Sequence, residues 1–466
     1  MMTEPNQTKH SSFSPDAFSI KEATKMNHHY LGRLREAVNT FPIIGTMSWL
    51  FYFIAYYYVI AVFESTIHFF PFTVIIMAFT EILCYRLHRT WNQFTASYRR
   101  DLVTIMMMIL LQGLALSLWG FHPQFEAIQA FVIHLSFVLY IAMRSQNLVD
   151  QQLNLWVLFD LIRHFLWIPF QNILIRPIIL WYHSTHLRSA KFNPFKWLAT
   201  IISILSLFFI LLFVMNQLGQ LSPTFAQHSD QLLSGLLNFI RQLNQLDNLL
   251  VYLFYFILSI PIGLWLSGLI FGSLLHKPNS KLKSDLLTIK TRLQIFPKAS
   301  ALLLMSILIG LYCLFFTTAF YDLVRLLSVA NIQAPDAANV AISGFWQFIY
   351  ITLLNLFVTW FIQWLYDTQW VKTKAVQYLM LGLYGCSLIF ASLAVWKTLG
   401  VYVLHFGWTP LRLLSGWFAV LMFVALILII IQHFLPKFNA YRWIILLGEL
   451  SFTAICYAYP LLLNAR

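Results

Sequence analysis

The sequence predicts an all-α fold, a polytopic transmembrane helical bundle of about eleven spans. Three observations carry this. Hydrophobic residues make up 59% of the 466 and charged residues only 10%, with a mean hydropathy of +0.71. Soluble domains are roughly half apolar and a quarter charged, so a water-soluble globule of this length lacks the polar surface it would need. Apolar runs long enough to cross a bilayer recur along the chain. Finally, the 30 Lys and Arg are distributed unevenly between alternate connections.

Residues 1–41 are polar, with no apolar core, and do not read as a cleaved leader. Tyr30, Leu31, Leu34, Ala37 and Val38 follow helical spacing beside Arg33, Arg35 and Glu36, which predicts a short interfacial helix. Residues 42–466 form the transmembrane domain. Spans are expected near 42–63, 69–85, 102–120, 127–143, 198–218, 249–275, 299–319, 345–366, 376–396, 413–432 and 443–461. A span needs about 20 apolar residues.

The stretch 153–182 is the doubtful twelfth. With it lying on the surface and the N-terminus in the cytoplasm, 25 of the 30 basic residues fall on the inner side. A single crossing there would leave 15 inside against 13 outside, with Arg163 and Arg176 in the bilayer, and would erase the bias. Pro169 and Pro177 also divide it into short helical pieces. We therefore expect a surface-lying or re-entrant broken helix, with Asp160 and Arg163 paired on one face. The N-terminus is then cytoplasmic and the C-terminus extracytoplasmic.

Residues 228–246 place Leu232, Leu233, Leu236, Leu237, Ile240 and Leu243 on one face, an amphipathic helix on the outer surface. Residues 276–298 form a basic inner loop suited to orientation and to anionic headgroups. The net charge of +13 has the same reading, since no nucleic-acid motif accompanies it. Membrane lipids are thus the expected partners, and no protein partner can be named. Cys84, Cys313, Cys386 and Cys456 all fall in apolar stretches without a CxxC, so they read as buried small hydrophobes. No metal site or cofactor is expected. His183 and His186 have helical spacing, but no third ligand is near and Arg188 and Lys191 repel a cation.

Ionisable and amide groups within spans are the candidates for substrate or ion binding. Glu449, seven residues past Arg442, lies about 10 Å up its helix with no partner on that helix. His134 and Gln112 sit mid-span, within reach of one another. Glu81 lies near the inner end of its span and is expected to pair with Arg86 or Arg89. At the outer face, Glu64 and His68 in "FESTIH" imitate a weak carboxylate site. Arg412, in "YVLHFGWTPLRLLSGWF", opens a span after a Thr409 cap and Pro410. A cation in a first turn opposes the helix dipole, so an anion is expected beside it: a lipid phosphate, Asp322 or Asp336.

"DLIRHFLWIPFQNI", "ISGFWQFIYITLLNL" and "YVLHFGWTPLRLLSGWF" occur in this order with long spans between. Together they resemble the bacterial membrane-protein families of domains of unknown function 4153 and 4173. Gly344-Phe345, an aromatic and Gln347 match a Gly-Phe-Phe-Glu/Gln run. Gly407, Thr409 and Arg412 match Gly-Leu-Thr-x-x-Arg, with Trp408 in place of Leu. The resemblance covers residues 150–450 or so and implies a multi-pass protein of the inner membrane. It implies no activity and no catalytic residues. Three function classes stay open: a transporter or permease, an enzyme acting on a lipid-linked or envelope substrate at the outer face, and a non-catalytic scaffold or sensor.

Overall fold

The computed structural model describes residues 43–122, 124–187, 203, 206, 207, 247–275, 282–327, 334–404 and 407–464. The N-terminal segment with its interfacial helix, most of the span at 198–218 and the amphipathic helix over 228–246 lie outside the described residues. Among those described, every regular element is helical.

The longer helices are α1 (Ile43–Phe63), α2 (Phe69–Arg86), α3 (Ala96–Trp119), α4 (Glu126–Arg144), α5 (Val157–Gln171), α6 (Ile175–Leu187), α7 (Asp247–Leu275) and α8 (Leu282–Leu293). There follow α9 (Lys298–Leu327), α10 (Ala334–Leu365), α11 (Thr368–Val371), α12 (Lys374–Val395), α13 (Pro410–Phe434) and α14 (Ala440–Asn464). Nine stretches among the described residues are long and apolar enough to cross a membrane, and they coincide with nine of the predicted spans. The predicted span at 443–461 lies on α14, which has 25 residues and is not among the nine. Large apolar side chains point away from the protein on these helices: Phe53 is 72% exposed and Leu314 62%. Only hydrocarbon makes that arrangement favourable, so the helices contact lipid.

The chain divides into two compact units. One comprises Met1–Phe53, Leu83–His88 and Leu174–Phe254. Within it, Arg176 is buried, donates from Nε to the Ser48 carbonyl (3.1 Å) and lies 3.6 Å over the Tyr52 ring. The His183 ring packs against Gly45, where a Cβ would sit 2.3 Å from it.

The other unit comprises Ile54–Ile82, Arg89–Ile173 and Tyr255–Arg466. Its helices pack in a row. α4 packs on α3, α3 on α14, α14 on α13, α13 on α12, and α12 on α9 and α10. The last helix therefore returns to the front of the unit. Phe390 is fully buried in the main core and meets the rings of Tyr312, Phe315, Phe316 and Phe348. Asn355, also buried, ties α9 to α12: it accepts from Tyr312 Oη (2.7 Å) and donates to Ser387 Oγ (3.0 Å).

The stretch 153–182 is broken, as its prolines predict, with the gap between α5 and α6 at residues 172–174. A π-helical turn, Arg163–Trp167, precedes Pro169. Proline has no N–H for the carbonyl four residues back, and here the Phe165 carbonyl instead accepts from Trp265 Nε1 at 3.1 Å. Asp160 and Arg163 do not pair as predicted. Asp160 accepts the Val149 N–H at both oxygens (3.1 Å each), and Arg163 donates to the Asn147 carbonyl (3.2 Å). Both side chains find a closer partner in the tight turn before α5 than along their own helix.

Two further expectations are corrected. Glu81 pairs with neither Arg86 nor Arg89 but with Arg144 of α4, at 2.9 and 3.1 Å, and it also accepts from Tyr140 Oη and Trp91 Nε1. Arg144 is 1% exposed and held besides by the Arg89 carbonyl (2.9 Å), a position that helix spacing could not reveal. Cys313 is exposed, whereas Cys84 and Cys456 are buried and Cys386 half-buried; no disulfide links them. Part of the basic loop 276–298 forms α8, whose side chains are all at least partly exposed. Partial burial lowers the Lys290 ammonium below the usual lysine range.

Helix α7 meets α5 through Gly268 and Gly272, a pair at GxxxG spacing. A Cβ on Gly268 would come within 2.6 Å of the Pro169 carbonyl oxygen, which is backbone and cannot rotate away. Gly268→Ala is expected to lower stability by about 1–3 kcal/mol. Gly310→Ala, with nothing within 4 Å, should leave stability unchanged or raise it by up to about 1 kcal/mol. Thermal unfolding in detergent checks both.

Candidate functional site

The row of helices places α3, α4 and α14 side by side, joined by Ala115, Phe452 and Cys456. On this seam Glu449 meets two chemically suited partners. Ser136 Oγ of α4 lies 2.8 Å from both carboxylate oxygens. Gln112 Nε2 of α3 donates to Glu449 Oε2 (3.2 Å) and to Thr453 Oγ1 (3.1 Å). Thr453 Oγ1 in turn donates to the Glu449 carbonyl (2.7 Å). Gln112 and Ser136 are buried, and Gln112 Oε1 has no partner among the described residues.

Glu449 sits nine residues into α14, about 13 Å from its start and well within the apolar length. The geometry serves either protonation state. An ionised carboxylate accepts from Ser136 and Gln112. A protonated one can donate to Ser136 Oγ, whose own hydrogen then goes to the Val132 carbonyl, 2.8 Å away. The site can therefore take up or release a proton without leaving a hydrogen bond unmade.

Of the four candidates, Glu449 and Gln112 thus come together. His134 does not join them: it lies on another side of α4, bonded to Tyr58 Oη through Nε2 (2.6 Å) and to the Ala130 carbonyl through Nδ1. The predicted reach between His134 and Gln112 fails because α4 turns Ser136, not His134, toward α3 and α14. Arg412 also stands apart. Thr409 caps α13 by accepting the Arg412 N–H at 3.4 Å, and Gly407 turns the chain at φ 72°. The guanidinium donates to the Gly407 carbonyl (2.8 Å) and covers the Tyr402 ring at 4.1 Å. Both contacts come from the chain just before α13 or at its turn. The side chains of Asp322 and Asp336 lie outside the described residues. At the short outer-loop motif, His68 bonds Tyr57 Oη (3.2 Å) while Glu64 is exposed.

Ser136 and Thr453 carry little sequence signal, because hydroxyls on apolar helices usually bond their own backbone. A further pair, Asp101 with Arg442, is bidentate at 2.7 and 2.6 Å and fastens α3 to the start of α14 below the Glu449 cluster. The signal was present: Asp101 and Arg442 each stand at the foot of a span, and a cation there calls for an anion at the same depth. A cavity of about 480 Å³ opens beside this end, bordered by Gln152, Asn154, Gln363, Gln432, His433 and Lys437. Among the described residues no group of His, Cys, Asp and Glu has the arrangement to hold a metal ion.

Glu449→Gln should keep the hydrogen bonds and change stability by less than about 1 kcal/mol. Glu449→Leu strands Ser136 and Gln112 and should cost about 1–3 kcal/mol. Arg412→Ala should cost about 2 kcal/mol, the sum expected of a charged hydrogen bond and a ring contact, with Arg412→Lys restoring less than half. Melting temperatures of the purified variants measure all of these.

A family model described as "Domain of unknown function (DUF4153)" matches residues 105–466. No curated protein and no solved structure matches the chain.

Proposed function

The chain belongs to this family of unknown function, and on that premise we propose a permease-like transporter of the bacterial inner membrane, with Glu449 as its coupling group. The observation that carries the reading is the carboxylate itself. An ionisable side chain inside a span is costly and is retained where ions or protons move. Glu449 lies where three spans meet, and its partners are hydroxyl and amide groups rather than a cation. A structural ion pair would have set a cation beside it, as Arg144 stands beside Glu81. Ser136, Gln112 and Thr453 instead leave the charge free to change.

The polar cavity ringed by amides, His433 and Lys437 supports the same reading, because it offers hydrogen bonds to a soluble solute at one end of the helix row. On the orientation that the basic residues favour, that end is cytoplasmic. The π-helical segment Trp396–Val403, which extends α12, supplies the irregular helix that transport sites often use.

Native mass spectrometry of the purified protein tests the proposal. Wild type is expected to retain a soluble ion or metabolite that Glu449→Gln loses and Arg412→Ala keeps. A phospholipid or isoprenyl phosphate lost with Arg412→Ala, and insensitive to Glu449→Gln, would overturn it in favour of an enzyme at the outer face.

A further inference from the structure

On the side of α4 away from Glu449 lies a second cavity, of about 670 Å³. Its wall is made almost wholly of hydrocarbon and aromatic rings, among them Phe72, Ile133, Phe137, Phe165, Ile262 and Trp265. His134 stands at its middle, eight residues from the start of α4 and ten from its end, so the cavity lies near mid-depth in the bilayer. Phe131 and Phe170, which also line it, are 55% and 60% exposed, which places its mouth on the flank of the helices and not at their ends.

The polar groups of the wall are already satisfied. The bond from His134 Nδ1 to the Ala130 carbonyl places a ring hydrogen at Nδ1, and in the neutral ring Nε2 accepts from Tyr58 Oη, so both ring nitrogens have partners. Thr73 Oγ1 donates to the Phe69 carbonyl (2.7 Å) and Trp265 Nε1 to that of Phe165. The cavity wall carries no Lys, Arg, Asp or Glu to meet a headgroup and leaves no spare N–H for a sugar or phosphate. Water enters such a space poorly, whereas apolar cavities of this kind take up hydrocarbon. Hydrocarbon is what the membrane presents at the depth of the mouth.

We propose that this cavity binds one hydrocarbon chain of a membrane lipid, inserted sideways from the bilayer with its headgroup left outside. The site is separate from the Glu449 cluster and does not depend on the transport reading. Two proline-disturbed helices shape it. Pro169 loosens α5 at Phe165 and Phe170, and Pro261 within α7 stands beside Ile262.

The test uses the full-length protein in nanodiscs of phosphatidylethanolamine and phosphatidylglycerol, doped with a phosphatidylcholine whose acyl chain ends in a diazirine. After photolysis, labelled residues are mapped by peptide mass spectrometry. Wild type should carry label on Phe137, Ile133 or Phe165, deep in the cavity, in excess of the label on exposed Leu353 of α10. Ala130→Trp, which fills the cavity, should cut the deep label roughly tenfold. Ile262→Trp fills it from α7 and should do the same, so that failure of one variant to fold leaves the other decisive. Leu353→Trp should leave the deep label unchanged. Label confined to outward-facing side chains, or deep label that persists in both folded filling variants, would overturn the proposal. So would a cross-link between a cysteine placed at Ile133 and the chain's own segment at 198–218, since that segment would then occupy the space.

Discussion

A carbonyl, an amide or a carboxylate in hydrocarbon must find its partner within the protein, because no water is present to supply one. The described structure is arranged around that requirement. Where Pro169 withholds an N–H, the indole of Trp265 reaches across from α7 to the Phe165 carbonyl. The glycines at 268 and 272 let α7 come close enough for the same helix pair to touch at Pro169 and Asn172. Arg144, at 1% exposure, is tolerated because Glu81 and the Arg89 carbonyl receive its hydrogens. Removing Glu81 would leave Arg144 buried without its anion, a loss of about 3–5 kcal/mol in comparable pairs.

The same requirement separates structural polar groups from candidate functional ones. Asn355 is held by Tyr312 and Ser387 in the core, and it acts as a fastening between helices. Asp101 and Arg442 neutralise each other in a bidentate pair. Glu449 differs from both. Its partners can donate or accept, no cation holds its charge, and Gln112 retains an oxygen without a partner among the described residues. A group left adaptable at that depth is a place where chemistry or transport can occur.

Helix α4 organises both candidate sites. Ser136 faces α14 and the carboxylate, while Ile133, His134 and Phe137 face the apolar cavity. Two faces of a single helix thus meet a polar cluster and a hydrocarbon space. Rotation of α4 by even a fraction of a turn would alter both together, since residues three and four apart share a face.

Class and most helix positions were legible in the sequence because apolar run length and composition are local properties, and bilayer thickness translates them directly into spans. The Thr409 cap and the turn at Gly407 were legible for the same reason, and so was the depth of Glu449. What the tertiary structure decided were the partners. Arg144 took Glu81 in place of Arg86 or Arg89, and Ser136 took the place expected of His134. Arg412 reached back to the Gly407 carbonyl and the Tyr402 ring. Partner choice depends on which helices become neighbours and how each is rotated. On helices apolar all round, with no polar stripe to set the facing side, sequence periodicity carries almost no information about either. The sequence by itself therefore determined that this chain is built for a bilayer, and packing alone determined which of its few polar groups meet.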